Sequence, residues 1–258
     1  MLNYKSVNII TVIVLLVLLF TNYSYNLPLW SFIVLAIIWL SVTVAGSFFI
    51  KWNYQFKSLH SNKKIKENLI AITFDDGPHP EFTPKILELL KKHNAKATFF
   101  CIGKHIEAYP NVFNEIIKQG HTVGNHTYSH DNSFGFFKTE KVIEELQKTN
   151  TIAKNITGLT MQLYRPAFGV TNPRIKKALN ATQFQSIGWN IRSLDTTSRT
   201  PKRIFNRTTK NLSKGDVILL HDTSLKTITI LEQLLLFLQQ QKMESVTIDS
   251  LFNIKAYA

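Results

Sequence analysis

The chain has 258 residues, enough for one large α/β domain or two modest ones, either able to bury a core. Its formal charge of +13 suits an anionic membrane surface or an acidic substrate. No stretch interleaves basic with aromatic residues as a nucleic-acid platform does, which sets nucleic acid aside, and a single cysteine, Cys101, excludes an internal disulfide.

Residues 7–20 carry no charge, and residues 29–50 form a second uncharged run long enough to cross a bilayer as a helix. The first run reaches spanning length only by recruiting Ser6 and residues 21–25. The expectation is a transmembrane helical hairpin, about 6–25 and 29–50, so that residues 1–50 form a membrane anchor. A signal peptide, or a single anchor, competes for the first run. No small-x-small cleavage site follows it, however, and a second apolar segment comes soon after. The loop 21–28 has no Lys or Arg, whereas Lys5 precedes the first run and Lys51, Lys57, Lys63, Lys64 and Lys66 follow the second. The positive-inside rule then places both ends, and everything downstream, in the cytoplasm; a first run that does not span would reverse this. Residues 51–67 are polar and Lys-rich and read as a basic linker resting on anionic headgroups.

From Asn68 onward short apolar runs alternate with helical patterns. Strands are expected at 69–74, 97–101, 121–124, 162–165, 184–188, 216–220 and 245–248. Helices are expected near 84–93, 104–119, 139–156, 172–180, 201–213 and 224–241. Thr83 before Pro84 reads as an N-cap and N1 pair, Gly120 as a C′ residue, and Thr223 as the cap of the helix carrying Leu231, Leu234, Leu235 and Leu238. Cys101 falls in an apolar strand and reads as buried. This alternation predicts parallel strands covered by helices, a (β/α) barrel slightly smaller than the eight-stranded form. The chemically interesting residues fall just after strands, where barrel sites lie.

Asp75 and Asp76 end the first of those strands. Two adjacent carboxylates at the end of an apolar run are costly without a compensating cation. Fifty residues on, His126-Thr127-Tyr128-Ser129-His130 supplies two imidazoles at a spacing that puts both on one side of a helical turn. One carboxylate and two imidazoles make a three-ligand metal site with room for water, and the other carboxylate is free to act as a base. That is the constellation of a metal-dependent hydrolase.

The set Thr73–Pro78 (TFDDGP), His126–His130 (HTYSH), Arg165–Gly169 (RPAFG), Trp189–Asp195 (WNIRSLD) and Leu219–His221 (LLH) resembles the polysaccharide deacetylases, the carbohydrate esterase family 4 enzymes with a NodB-homology domain. The resemblance covers roughly 68–250, with the motifs in the family's order, and makes 68–258 the catalytic domain. It implies a distorted (β/α)7-type barrel that removes N-acetyl or O-acetyl groups from a glycan or lipid-linked sugar. By position, Asp76, His126 and His130 are the ligands of a divalent metal, usually zinc. Asp75 is the general base, Arg165 holds it, and His221 protonates the departing amine or alcohol under the influence of Asp195. The fourth motif departs from the family's Asp-Ser-x-Asp-Trp: here Arg192-Ser193-Leu194-Asp195-Thr196 stands, without the tryptophan that lines the acetyl pocket. Trp189, Leu219 and Phe168 are the candidates for that apolar wall.

The contrasting reading is a silent glycan-binding or assembly module with the same fold. Retention of the full residue set argues against it. Expected partners are an acetylated glycan or glycolipid and the lipid bilayer, with no obligate protein partner.

Overall fold

A computed structural model describes residues 3–258. Two long helices, α1 (Tyr4–Tyr25) and α2 (Trp30–Phe48), come first, and large apolar side chains are exposed along both. They pack on each other, and Trp39 Nε1 donates to Asn8 Oδ1 at 2.8 Å between them.

The rest is a curled, wholly parallel sheet. Its strands are β1 (Leu69–Asp75), β2 (Ala97–Cys101), β3 (Thr122–Asn125), β4 (Leu163–Tyr164), β5 (Gln185–Ser186), β6 (Ile191–Arg192), β7 (Val217–His221) and β8 (Glu244–Ser245). The hydrogen-bonded path runs β5-β4-β3-β2-β1-β7-β6, with β8 paired to the start of β1. This is the distorted seven-strand barrel anticipated above, although the seventh member differs. The stretch at 245–248 forms only the short β8 off the path, and the two-residue β6 takes the place expected for it.

Helices cover the outside: α3 (Phe82–Lys92), α4 (Gly103–Ala108), α5 (Pro110–Lys118), α6 (Thr139–Thr157), α7 (Pro173–Thr182), α8 (Pro201–Thr209), α9 (Leu225–Gln240) and α10 (Ile248–Phe252). The single helix expected over 104–119 is two, because Pro110 has no N–H to continue α4 and instead starts α5. Thr83 does not cap α3. It lies inside the first turn, accepts the His79 N–H at 2.8 Å and donates to the Asp222 carboxylate. Ser224, rather than Thr223, caps α9 by accepting the Thr227 N–H. Gly120 does follow α5 with φ 76°, the left-handed conformation that suits glycine.

Strand alternation divides the interior. Ile70, Ile72 and Phe74 of β1, Phe99 of β2, and Ile218 and Leu220 of β7 join the apolar layer beneath the helices. Ala71, Phe100, Val217 and Leu219 face the other way, into a smaller inner cluster with Leu163, Ile187 and Trp189. Burial on both faces explains why these strands read as continuous apolar runs. The inner face at the carboxyl end of β1 and β7 carries the polar residues, and the register pairs Asp75 with His221.

The stretch expected as a linker is packed against the barrel. Leu59 bridges to Ile187 and Ser61 to Asp216, and Ile50, expected as the last residue of the second span, lies beyond the end of α2 and is buried in the inner cluster. The stretch fills the seam between β5 and the β6–β7 pair. Leu59 and Ile65 are the residues of 51–67 that pack on the inner cluster, too few to show a period in the sequence.

Candidate active site

Asp75 is the last residue of β1 and Asp76 the first beyond it. Successive strand side chains point to opposite faces, so both carboxylates could not enter one cleft in an extended chain. Asp76 has φ 75°, a left-handed conformation uncommon outside glycine, which turns its side chain back toward the site. His105 Nδ1, 2.8 Å from the Asp76 carbonyl, braces this turn.

The two imidazoles arrive by a different route from the one expected. Residues 126–130 are not a helical turn; Thr127 (φ 67°) and His130 (φ 48°) bend an irregular loop after β3. Glu145, buried on α6, accepts the Tyr128 and Ser129 N–H groups at 3.0 and 2.7 Å and the Ser129 hydroxyl at 2.9 Å. His126 Nδ1 donates to the Arg165 carbonyl at 2.9 Å, leaving Nε2 toward the carboxylates. That Nε2 lies 3.4 Å from Asp76 Oδ1, and His130 Nε2 lies 3.5 Å from the same oxygen.

The donor atoms of Asp76, His126 and His130 all lie within 4.8 Å of one another. Burial alone would raise the Asp76 pKa, but the hydrogen bond and charge of His126 hold its carboxyl well below the usual range. Burial pushes His130 down to about 4, and the His126 charge adds to this. An ionised carboxylate, a neutral imidazole and a second imidazole fixed through its far nitrogen form a donor set that fits a divalent cation.

Arg165 lies behind the carboxylates and is fully buried. Its Nη1 donates to Asp75 Oδ1 at 2.8 Å and to Thr73 Oγ1 at 2.6 Å, and its Nη2 to the Gly188 carbonyl at 3.0 Å. Across the cleft, His221 Nδ1 meets Asp195 Oδ1 at 2.8 Å. Asp195 also accepts the Ser193 and Thr227 hydroxyls and the His221 N–H. Burial would lower the His221 pKa, but its hydrogen bond and ion pair with Asp195 outweigh this and carry it up to about 9.

The cleft between these groups holds about 240 Å³. Phe168, Gly169, Trp189, Arg192, Thr196 and Leu219 complete its lining. All ten candidate residues therefore come together. Eight line the cleft, while Arg165 and Asp195 stand behind Asp75 and His221. Phe168, at φ 56°, places its ring 4.4 Å from His130 and is 46% exposed at the rim. Gly169 is packed so that a Cβ would lie 2.7 Å from the Trp189 ring, at φ 70°.

Sequence reasoning missed Glu145 and Asp222. Glu145 was detectable, as a carboxylate on the apolar stripe of α6 with Val142, Leu146 and Thr149. Asp222 packs over Gly77 beside the carboxylate turn, and burial pushes it up to about 7. Its adjacency to His221 gave no sign of that role.

Comparison with known proteins gives the family. Residues 62–187 match the family model for polysaccharide deacetylase. A peptidoglycan-N-acetylglucosamine deacetylase of Bacillus cereus is 32% identical over 197 residues, spanning 73% of this chain and 90% of that protein. The chain belongs to the polysaccharide deacetylase family. A second deacetylase of that name from the same organism is 35% identical over 173 residues, but the match takes in 67% of this chain and only 61% of that longer relative. Among solved structures of the family, the peptidoglycan deacetylase PdaC from Bacillus subtilis superposes with a TM-score of 0.69 at 29% identity, covering 73% of this chain and 91% of that one. These matches take in about three quarters of this chain at most.

Proposed function

We propose that the chain is a membrane-anchored, metal-dependent carbohydrate N-deacetylase whose reaction is carried by the groups in the cleft. The observation that supports this most is the pairing of two preset proton-handling units across one cleft: Asp75 held by Arg165, and His221 held by Asp195. Asp76, His126 and His130 would hold a divalent ion, with zinc favoured by the mixed nitrogen and oxygen donors. When bound, that ion supplies Lewis acidity toward the acetyl carbonyl and toward water.

The remaining chemistry belongs to the side chains. Arg165 occupies Asp75 Oδ1, so Oδ2 is the oxygen left to take a proton from the attacking water. Asp195 engages His221 Nδ1, so Nε2 is left to give a proton to the departing nitrogen. A histidine raised to about 9 is protonated at neutral pH and ready to act as the acid. Trp189, Leu219 and Phe168 form an apolar wall that receives the acetyl methyl. In this reading residues 68–258 are the catalytic domain. N-acetyl groups of a glycan or glycolipid are the favoured substrates, with O-acetyl groups as a second class.

Residues 1–50 are read as a two-span anchor, with α1 and α2 of spanning length and composition. Lysines at both outer ends favour a cytoplasmic catalytic domain. A topology reporter fused after Ala258 tests this orientation, and activity only outside the membrane would reverse it.

The activity test is acetate release from an N-acetylated chitooligosaccharide by the full-length, zinc-loaded protein, with and without chelator. Chelator-sensitive release is expected. His126→Ala should lose both release and bound zinc by elemental analysis. Bound zinc without release from any acetylated sugar would favour the silent binding module instead.

A further inference from the structure

We infer that the cleft takes its acetylated sugar from the membrane surface, as an amino sugar joined to a lipid through phosphate. This rests on the deacetylase and membrane-anchor readings above, and the joint between α2 and the rim of the cleft carries it furthest.

At about 1.5 Å per residue, the 19 residues of α2 span about 28 Å, close to the ~30 Å hydrocarbon core. No turn of α2 is spare, so Ser47, in its last turn, lies at the hydrocarbon edge. Phe49 and Trp52, with ring centroids 5.1 Å apart, follow at the level where interfacial aromatics collect. The Ser47 carbonyl accepts the Thr171 N–H at 2.9 Å. Thr171 is three residues from Phe168 on the cleft rim, a reach of at most about 10 Å.

This joint is not a loose tether. Tyr54 accepts the Tyr4 N–H at 2.9 Å through its carbonyl, and its hydroxyl meets Thr43 at 3.0 Å. Its ring sits so close to Gly46 that a Cβ there would lie 2.3 Å away. One residue thus grips both ends of the hairpin. The cleft is held beside the headgroups, where a sugar on a lipid is delivered and a distant polymer is not.

Charge supplies the second observation. Where the family motif has an aspartate, the lining residue here is Arg192, which forms no ion pair among the described residues. Arg192 is therefore the cation of the cleft lining suited to a phosphate linking sugar to lipid.

The test uses the full chain, zinc-loaded, in phosphatidylcholine vesicles, with acetate release from three probes. These are N-acetylglucosamine 1-phosphate esterified to hexadecanol in the same vesicles, soluble N-acetylglucosamine 1-phosphate, and a neutral chitooligosaccharide. The expected kcat/KM for the vesicle-borne probe exceeds the other two by about tenfold or more, as local concentration dictates. An insert of about 12 Gly and Ser residues between Phe49 and Ile50, made together with Tyr54→Ala to release the ring and hydroxyl contacts to α2, should abolish that preference while soluble turnover persists. Arg192→Ala should lower turnover of both phosphate probes relative to the neutral one. A nitroxide on Phe168→Cys should be relaxed by nickel-chelating lipids.

Equal rates on the vesicle-borne and soluble phosphates, a preference that survives the insert, or an unrelaxed nitroxide would each overturn the inference while leaving the deacetylase reading intact. No acetate from any probe would overturn that reading itself, and carbonate extraction of the chain from vesicles would overturn the anchor.

Discussion

Arg165 offers the most demanding test of how the site is built. It is fully buried, and its guanidinium serves Asp75, Thr73 and the Gly188 carbonyl while lying 4.1 Å from the Phe100 ring centroid. Arg165→Met keeps the stem volume but leaves Asp75, only 4% exposed, as a buried carboxylate without its cation. Breaking one side of such a pair costs about 3–5 kcal/mol. For a domain of this size that corresponds to a melting point lower by about 6–20 °C. Asp75→Asn removes the charge that the methionine would strand, so the double variant should recover much of the loss. A coupling of about 2 kcal/mol or more is expected from the cycle. The measurement is thermal melting of the detergent-solubilised chain in chelator, which keeps metal loss out of the comparison. Additive single effects, with coupling below about 0.5 kcal/mol, would falsify the claim that Arg165 is there to hold Asp75.

Asp75→Asn should keep its zinc while turnover falls by about 10²–10⁴ or more, and metal loss in this variant would mean the two carboxylates have been assigned the wrong way round. Asp195→Asn should move the basic limb of the pH–kcat profile down from about 9 toward the ordinary histidine range, because Asp195 raises His221. His221 is raised in the folded state, so the pair's contribution to stability is complete below about 6.5 and fades as pH climbs through about 9; an unmoved limb would exclude His221 as the acid. Glu145→Ala frees two backbone N–H groups of the histidine loop, and zinc affinity should fall about 10–100-fold by competition with a chelating dye; unchanged affinity would show that the loop holds its shape unaided.

The chemistry of this site was legible because it is written in short contiguous motifs. Asp75 ends, and Asp76 follows, a strand buried on both faces, and such strands announce themselves as unbroken apolar runs. What escaped notice was either too short or too distant in sequence. Ile191 and Arg192 form a two-residue strand, below any measurable period, and only their pairing with β7 defines it. The histidine spacing suggested a helix, yet left-handed Thr127 and His130, supported from Glu145, bring the rings together without one. Local spacing described which groups meet, and tertiary hydrogen bonds decided how. The break at Tyr109 is written in Pro110, whose missing N–H outweighs the amphipathic pattern that runs across it.

The stretch that fills the seam has a practical consequence for anyone isolating the soluble portion. A fragment cut at Asn68 would lack the Leu59 and Ser61 bridges and the Ile50 side chain, baring the flank of β5 and the approach to β7. Naked edges of that kind recruit other chains. Excision should therefore begin ahead of Ile50, even though the motifs that identify the enzyme start more than twenty residues later.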